Sequence, residues 1–155
     1  MLTAERKRLL SRDFSLLEDG ETIADVAFSS WRDRATLDVR GTSYEARRER
    51  WLSGVYVLEH DGIEVARAEP QGFWRRSYEI RYGHSTVTLR RKGWTGRAFA
   101  VFDGDSEVGS VTRAGFFRTR AVADLPAGLD AAVRAFIVWL AVVRWQHDQA
   151  AASGG

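Results

Sequence analysis

Apolar residues two positions apart recur along the middle of the chain. Leu37 and Val39, Tyr44 and Ala46, and Tyr56 and Leu58 form one series. Ile80 and Tyr82, Val87 and Leu89, and Phe99 and Val101 form a second. A spacing of two is the strand period, because alternate side chains on a strand point to one face. The second series is the first displaced by 43 residues. The same displacement lays Trp51 on Trp94, Arg47-Arg48 on Arg90-Arg91, Glu64-Val65 on Glu107-Val108 and Gly72-Phe73 on Gly115-Phe116. Residues 35–77 and 78–120 are two copies of one unit, and such repetition constrains the architecture more than any single motif.

A fainter copy precedes them. Asp-Gly occurs at 19–20, 61–62 and 103–104, each time just after an apolar run, and Glu21, Glu64 and Glu107 follow at 43-residue steps. Asp-Gly between apolar runs is a hairpin signal. In the second full copy the pattern predicts strands near 77–82, 85–92, 98–103 and 106–113. Three units predict eleven or twelve strands, mostly joined by hairpins. Pro70 and Pro126 stand at run ends, where a strand tolerates them.

The last element has another period. Residues 130–147, "DAAVRAFIVWLAVVRWQH", lack glycine and proline and read as a helix, with outer bounds near 128–148. Ala135 to Val143 is apolar on every side, which marks a helix enclosed by protein or lipid. A membrane span needs about 20 apolar residues, so the nine-residue run predicts burial inside protein. Segment 1–13 is compatible with one or two turns of helix and has no apolar core of a signal peptide. Residues 149–155 read as a fraying tail.

Taken together, the repeated "EV(A/G)" after an Asp-Gly turn, "GFWRRSYEIRYGHSTVTLRR" (72–91) and "DLPAGLDAAVRAFIVWLA" (124–141) resemble the tubby C-terminal-like superfamily. The closer likeness is to its LURP-one-related and phospholipid-scramblase-like branch, and it extends from about Phe14 to Gln146. The resemblance implies a mainly β fold, a closed antiparallel barrel of about twelve strands over 14–148 wrapped around a hydrophobic C-terminal helix. The acidic calcium segment and terminal membrane helix of scramblase-type members have no counterpart here, so lipid scrambling is not carried over.

Composition narrows the chemistry. The 155 residues contain no cysteine, which excludes disulfides and thiolate chemistry and fits a cytoplasmic setting. Net charge is +2, but residues 67–120 carry 11 basic and 5 acidic side chains. Arginine, which forks onto phosphates and carboxylates, supplies all but Lys7 and Lys92 of the basic residues.

No motif assigns a reaction. "VFDGDSEVGS" (101–110) spaces Asp103, Asp105 and Glu107 like some calcium loops, but Val108 stands where an EF-hand needs glycine. Ser106 lacks a nucleophile elbow. His60, His84 and His147 form no metal spacing and read as polar positions in turns or near the helix end. Trp31, Trp51, Trp74 and Trp94 recur at repeat-equivalent places and read as packing residues; stacking on nucleic-acid bases is the competing reading.

One cluster remains as a candidate site. Arg75, Arg76, Arg90, Arg91 and Lys92 should converge at one end of a hairpin, with Glu45, Glu49 and Glu79 as competing neutralising partners. The sequence therefore points to a non-catalytic binding or scaffold module without cofactor or metal. Its first candidate ligand is an anionic lipid headgroup, bound at that cluster. A nucleic-acid- or protein-binding module, or a hydrolase on the barrel rim, stands as the alternative.

Overall fold

The computed structural model describes residues 1–7, 12–29, 33–72, 77–115 and 119–154. Its strands are β1 (Leu2–Arg6), β2 (Phe14–Glu18), β3 (Glu21–Phe28), β4 (Arg34–Val39), β5 (Thr42–Arg48) and β6 (Tyr56–His60). They continue as β7 (Ile63–Gln71), β8 (Ser77–Tyr82), β9 (Ser85–Lys92), β10 (Ala98–Asp103), β11 (Ser106–Arg113) and β12 (Thr119–Asp124). One helix, α1 (Ala131–Gly154), ends the chain. Each strand pairs antiparallel with its neighbours in sequence, and β1 pairs with β12, which closes the barrel. Closure leaves no edge exposed.

The alternation seen in the sequence is the wall of this barrel. In β4, Ala35, Leu37 and Val39 are buried while Arg34, Thr36 and Asp38 are exposed. Ile80, Val87, Leu89, Phe99 and Val101 take the corresponding inward places in the second copy. The four strands expected at 77–82, 85–92, 98–103 and 106–113 form at those bounds.

The three-fold repeat is completed across the chain ends. β4–β7 and β8–β11 are the two full units. The N-terminal unit holds only β1–β3, and β12 supplies its missing first strand. Ala121 and Ala123 occupy the inward places that Tyr78 and Ile80 hold in β8 and Ala35 and Leu37 hold in β4. Segment 2–6 is therefore a strand, not the helix its sequence allowed. Its Leu2 and Ala4 complete the inner wall between β2 and β12, and pairing on both sides overrides local helix propensity.

A bulge recurs in the same hairpin of each unit, between Leu16 and Leu17, Leu58 and Glu59, and Val101 and Phe102. Each bulge increases local twist next to a two-residue turn. Asp19-Gly20 and Asp61-Gly62 turn with positive φ at both residues, the geometry that matches strand twist. The third turn falls one residue later, on Gly104-Asp105, with Gly104 at φ 59°. "VFDGDSEVGS" is thus a hairpin with Asp105 in its turn and Asp103 and Glu107 on the flanking strands.

The helix fills the lumen. Every residue from Ala131 to Val143 is buried. Phe136, Ile137, Trp139 and Leu140 are wholly shielded from solvent, and burying side chains of this size stabilises by roughly 1.5–3 kcal/mol each. Trp139 stacks on Phe136 at 5.9 Å and meets the edge of Tyr56 at 5.7 Å. The helix runs on to Gly154, through residues expected to fray. Among the described residues, no helix is long and apolar enough to cross a membrane.

Candidate functional site

Up-and-down topology gives the barrel two unlike ends. The two-residue turns β2–β3, β4–β5, β6–β7, β8–β9 and β10–β11 lie at one end, where α1 begins. The longer connections, β5–β6 and β9–β10 among them, lie at the other, where α1 emerges. The turn end carries Glu18, Asp19, Glu21, Asp61, Asp103, Asp105 and Asp124. The loop end carries Arg6, Arg12, Arg48, Arg50, Arg90, Arg91, Lys92, Arg97, Arg113 and Arg120, which outnumber its acids Asp13, Asp33, Glu49 and Asp148. Repetition contributes to this axis, since Asp-Gly turns recur at one end and paired arginines at strand ends recur at the other, although Arg40 stands in the β4–β5 turn. The positive N-terminus of α1 faces the acidic end and its negative C-terminus the basic end, which complements both.

The predicted cluster is divided by the pleat. Arg75 and Arg76 lie outside the described residues. Arg91 shares the inward face of β9 with Val87 and Leu89, and its Nη2 donates to Asp148 of α1 at 2.7 and 2.9 Å. It also lies 5.4 Å over the Phe99 ring. Arg91 thus ties the emerging helix to the wall. Arg90 and Lys92 point outward and are exposed. Arg90 lies 4.7 Å over the Phe102 ring, and Lys92 pairs with Glu107 at 2.8 Å.

The three glutamates considered as neutralising partners serve other arginines. Glu45 binds Arg34 and Arg47, Glu49 binds Arg67, and Glu79 binds Arg81. These belong to an ion-pair lattice across β4–β8, which Arg47 to Glu59 and Arg67 to Glu64 and Glu69 extend. The surplus cations lie on the β9–β12 side. Among the described residues, Arg90, Arg97 and Arg113 have no acidic partner within ion-pair distance.

The tryptophans overturn one expectation. Trp51 and Trp94 recur at equivalent places but are largely exposed rather than buried in the core. Trp51 is 62% exposed, Leu52 76% and Trp94 98%. Both tryptophans stand on loops at the basic end, β5–β6 and β9–β10. Repetition preserved a surface position, and sequence periodicity cannot tell a repeated surface from a repeated core. Trp31 and Trp74 lie outside the described residues.

A second feature was missed entirely. Between α1 and the loop ends of β1, β11 and β12 lies a cavity of about 110 Å³. Arg6, Arg113, Arg120, Thr119, Trp145 and Gln146 line it, with Gln149 at its edge. Burial, then the charges of Arg6 and Arg12, push Arg120 down to about 10, with Asp13 opposing. Arg120 remains protonated at neutral pH in a strongly positive site. Arg113 and Arg120 belong to the basic stretch 67–120, but Arg6 joins them only because β1 pairs with β12.

His60 and His147 fill structural places, and His84 is exposed in the β8–β9 turn. His147 lies on α1, as expected, and bonds through Nε2 to Asp33 at 2.8 Å, a contact between helix and wall. His60 Nδ1 bonds the Ser43 carbonyl at 2.9 Å, and its ring lies 5.2 Å from Tyr44. Among the described residues, no group of three or more His, Asp or Glu side chains could hold a metal ion.

No family model, curated protein or solved structure matches this chain.

Proposed function

We propose that this chain is a non-catalytic, tubby-like binding module of the cytoplasm whose loop end docks on anionic phospholipid surfaces. The observation that carries this reading is the exposure of Trp51 and Trp94 on loops at the arginine-rich end. Tryptophan partitions to the membrane–water interface, where its ring sits among headgroups. Each nearby Lys or Arg adds about 1 kcal/mol of attraction to an anionic surface. The acidic turn end would be repelled, so the charge axis orients the barrel with its loops toward the lipid. Arg90 and Lys92 face outward as such contacts require, whereas Arg91 serves the fold.

Co-sedimentation with phosphatidylserine or phosphoinositide vesicles, against phosphatidylcholine alone, tests the reading. Binding should be confined to anionic vesicles and should weaken at high salt. Arg90→Glu with Lys92→Glu should weaken it at least about tenfold, and Trp94→Ala by a similar factor without change in Tm. Wild-type protein that ignores anionic vesicles at low salt removes the lipid reading. The same exposed tryptophans would also suit stacking on single-stranded nucleic acid, and a gel shift at low salt with the same variants decides that alternative.

A further inference from the structure

The cavity beside α1 is chemically unlike the open basic rim. Three arginines line it from three strands, Arg6 at the end of β1, Arg113 at the end of β11 and Arg120 on β12. The side-chain amides of Gln146 and Gln149 and the hydroxyl of Thr119 add neutral donors. Each guanidinium has five N–H donors, so a contact elsewhere still leaves donors for a ligand. The walls are partly apolar, from Val142, Trp145 and Ala114. Burial around Arg120 makes charge–charge attraction beside it stronger than in open water. About 110 Å³ is several times what one water needs and admits a tetrahedral oxyanion.

From this convergence of donors we infer that the cavity is a binding site for a phosphomonoester group, held by Arg6, Arg113 and Arg120. Planar guanidinium forks match phosphate oxygens in pairs, which a lysine cannot do. A dianion would offset the burial, and then the repulsion from Arg6 and Arg12, that lower the proton affinity of Arg120. The site is anchored to the backbone of the β9–β10 loop, not to the Trp94 side chain. Trp145 of the cavity donates from Nε1 to the Gly96 carbonyl at 2.8 Å, and the Arg113 amide donates to the Arg97 carbonyl at 2.8 Å. The inference rests on the reading of the loop end as an anion-facing surface, but it concerns a soluble ion in a cavity and not membrane adhesion.

The probe is inorganic phosphate, titrated into 15N-labelled full-length protein at constant ionic strength, with chloride as the matched control. Backbone amides of Ala114 and Thr119 should shift saturably with phosphate and not with chloride. Arg6→Ala with Arg113→Ala should weaken the affinity at least about tenfold while the rest of the spectrum stays folded. Trp94→Ala should leave phosphate affinity unchanged, which separates the cavity from the docking surface. Equal shifts with chloride, no saturation, or wild-type affinity in the double variant would overturn the inference. Vesicles then identify the source of the phosphate. Stronger binding to phosphatidic acid than to equally charged phosphatidylserine assigns the site to a lipid headgroup. Phosphate binding without that preference assigns it to a soluble phosphorylated ligand.

Discussion

Asp33 and His147 are 114 residues apart in sequence and meet at the loop end, with Nε2 2.8 Å from the carboxylate. Tyr56 donates its hydroxyl to the same carboxylate at 3.3 Å, and Arg48 lies 3.9 Å away. A β3–β4 loop, two strands and the central helix are thereby joined through one side chain.

Burial pushes the Asp33 carboxyl up, but the bond and charge from His147, with Arg48 and Tyr56, outweigh it and hold it below the usual range. A depressed carboxyl contributes stability above its unfolded value of about 3.9 and loses it as pH falls through the folded value. Asp33→Asn should cost about 1–2 kcal/mol at neutral pH. The gap to wild type should shrink below about pH 4, as urea melts at several pH values would show. Asp33 sits at φ 49°, which asparagine tolerates, so backbone strain does not confound the variant.

Arg134 is 4% exposed within α1, and its Nη1 reaches Glu18 Oε2 at 2.5 Å. Removing one partner leaves a buried charge, whereas replacing both does not. Glu18→Ala should cost about 3–5 kcal/mol, and Glu18→Ala with Arg134→Met should recover much of that loss. Additive losses in chemical denaturation would contradict a buried pair.

Ile137 is fully enclosed at mid-helix. Ile137→Asp should abolish soluble expression, because a carboxylate there has neither water nor a partner. Ile137→Val should fold normally and lose only about 0.5–1.5 kcal/mol. A well-folded Ile137→Asp protein would be incompatible with a helix inside the barrel.

Gly109 and Ala66 occupy the same place in the repeat, so the sequence treats glycine and alanine there as interchangeable. The barrel does not. A Cβ on Gly109 would stand 2.3 Å from the Asp124 carbonyl oxygen, a backbone atom of β12. Gly109→Ala should therefore cost about 1–3 kcal/mol, measured as a fall in Tm, with loosened β11–β12 pairing in hydrogen exchange.

Strand periods, hairpin turns and the apolar helix were legible along the chain because each depends on neighbours a few residues away. The 43-residue repeat carried that reading to the number of strands and to a closed barrel around α1. Repetition also hid information. It placed Trp51 and Trp94 together as equivalents but could not say that both face solvent. It grouped Arg90, Arg91 and Lys92, although the pleat sends Arg91 inward to Asp148 and the others outward.

Closure decided the rest. β1 reads as helix until β12 and β2 pair with it, and Arg6 meets Arg113 and Arg120 only through that pairing. Asp33 finds His147 only once the helix has crossed the lumen. Such contacts depend on how distant segments share one enclosed space, which no local pattern of residues records.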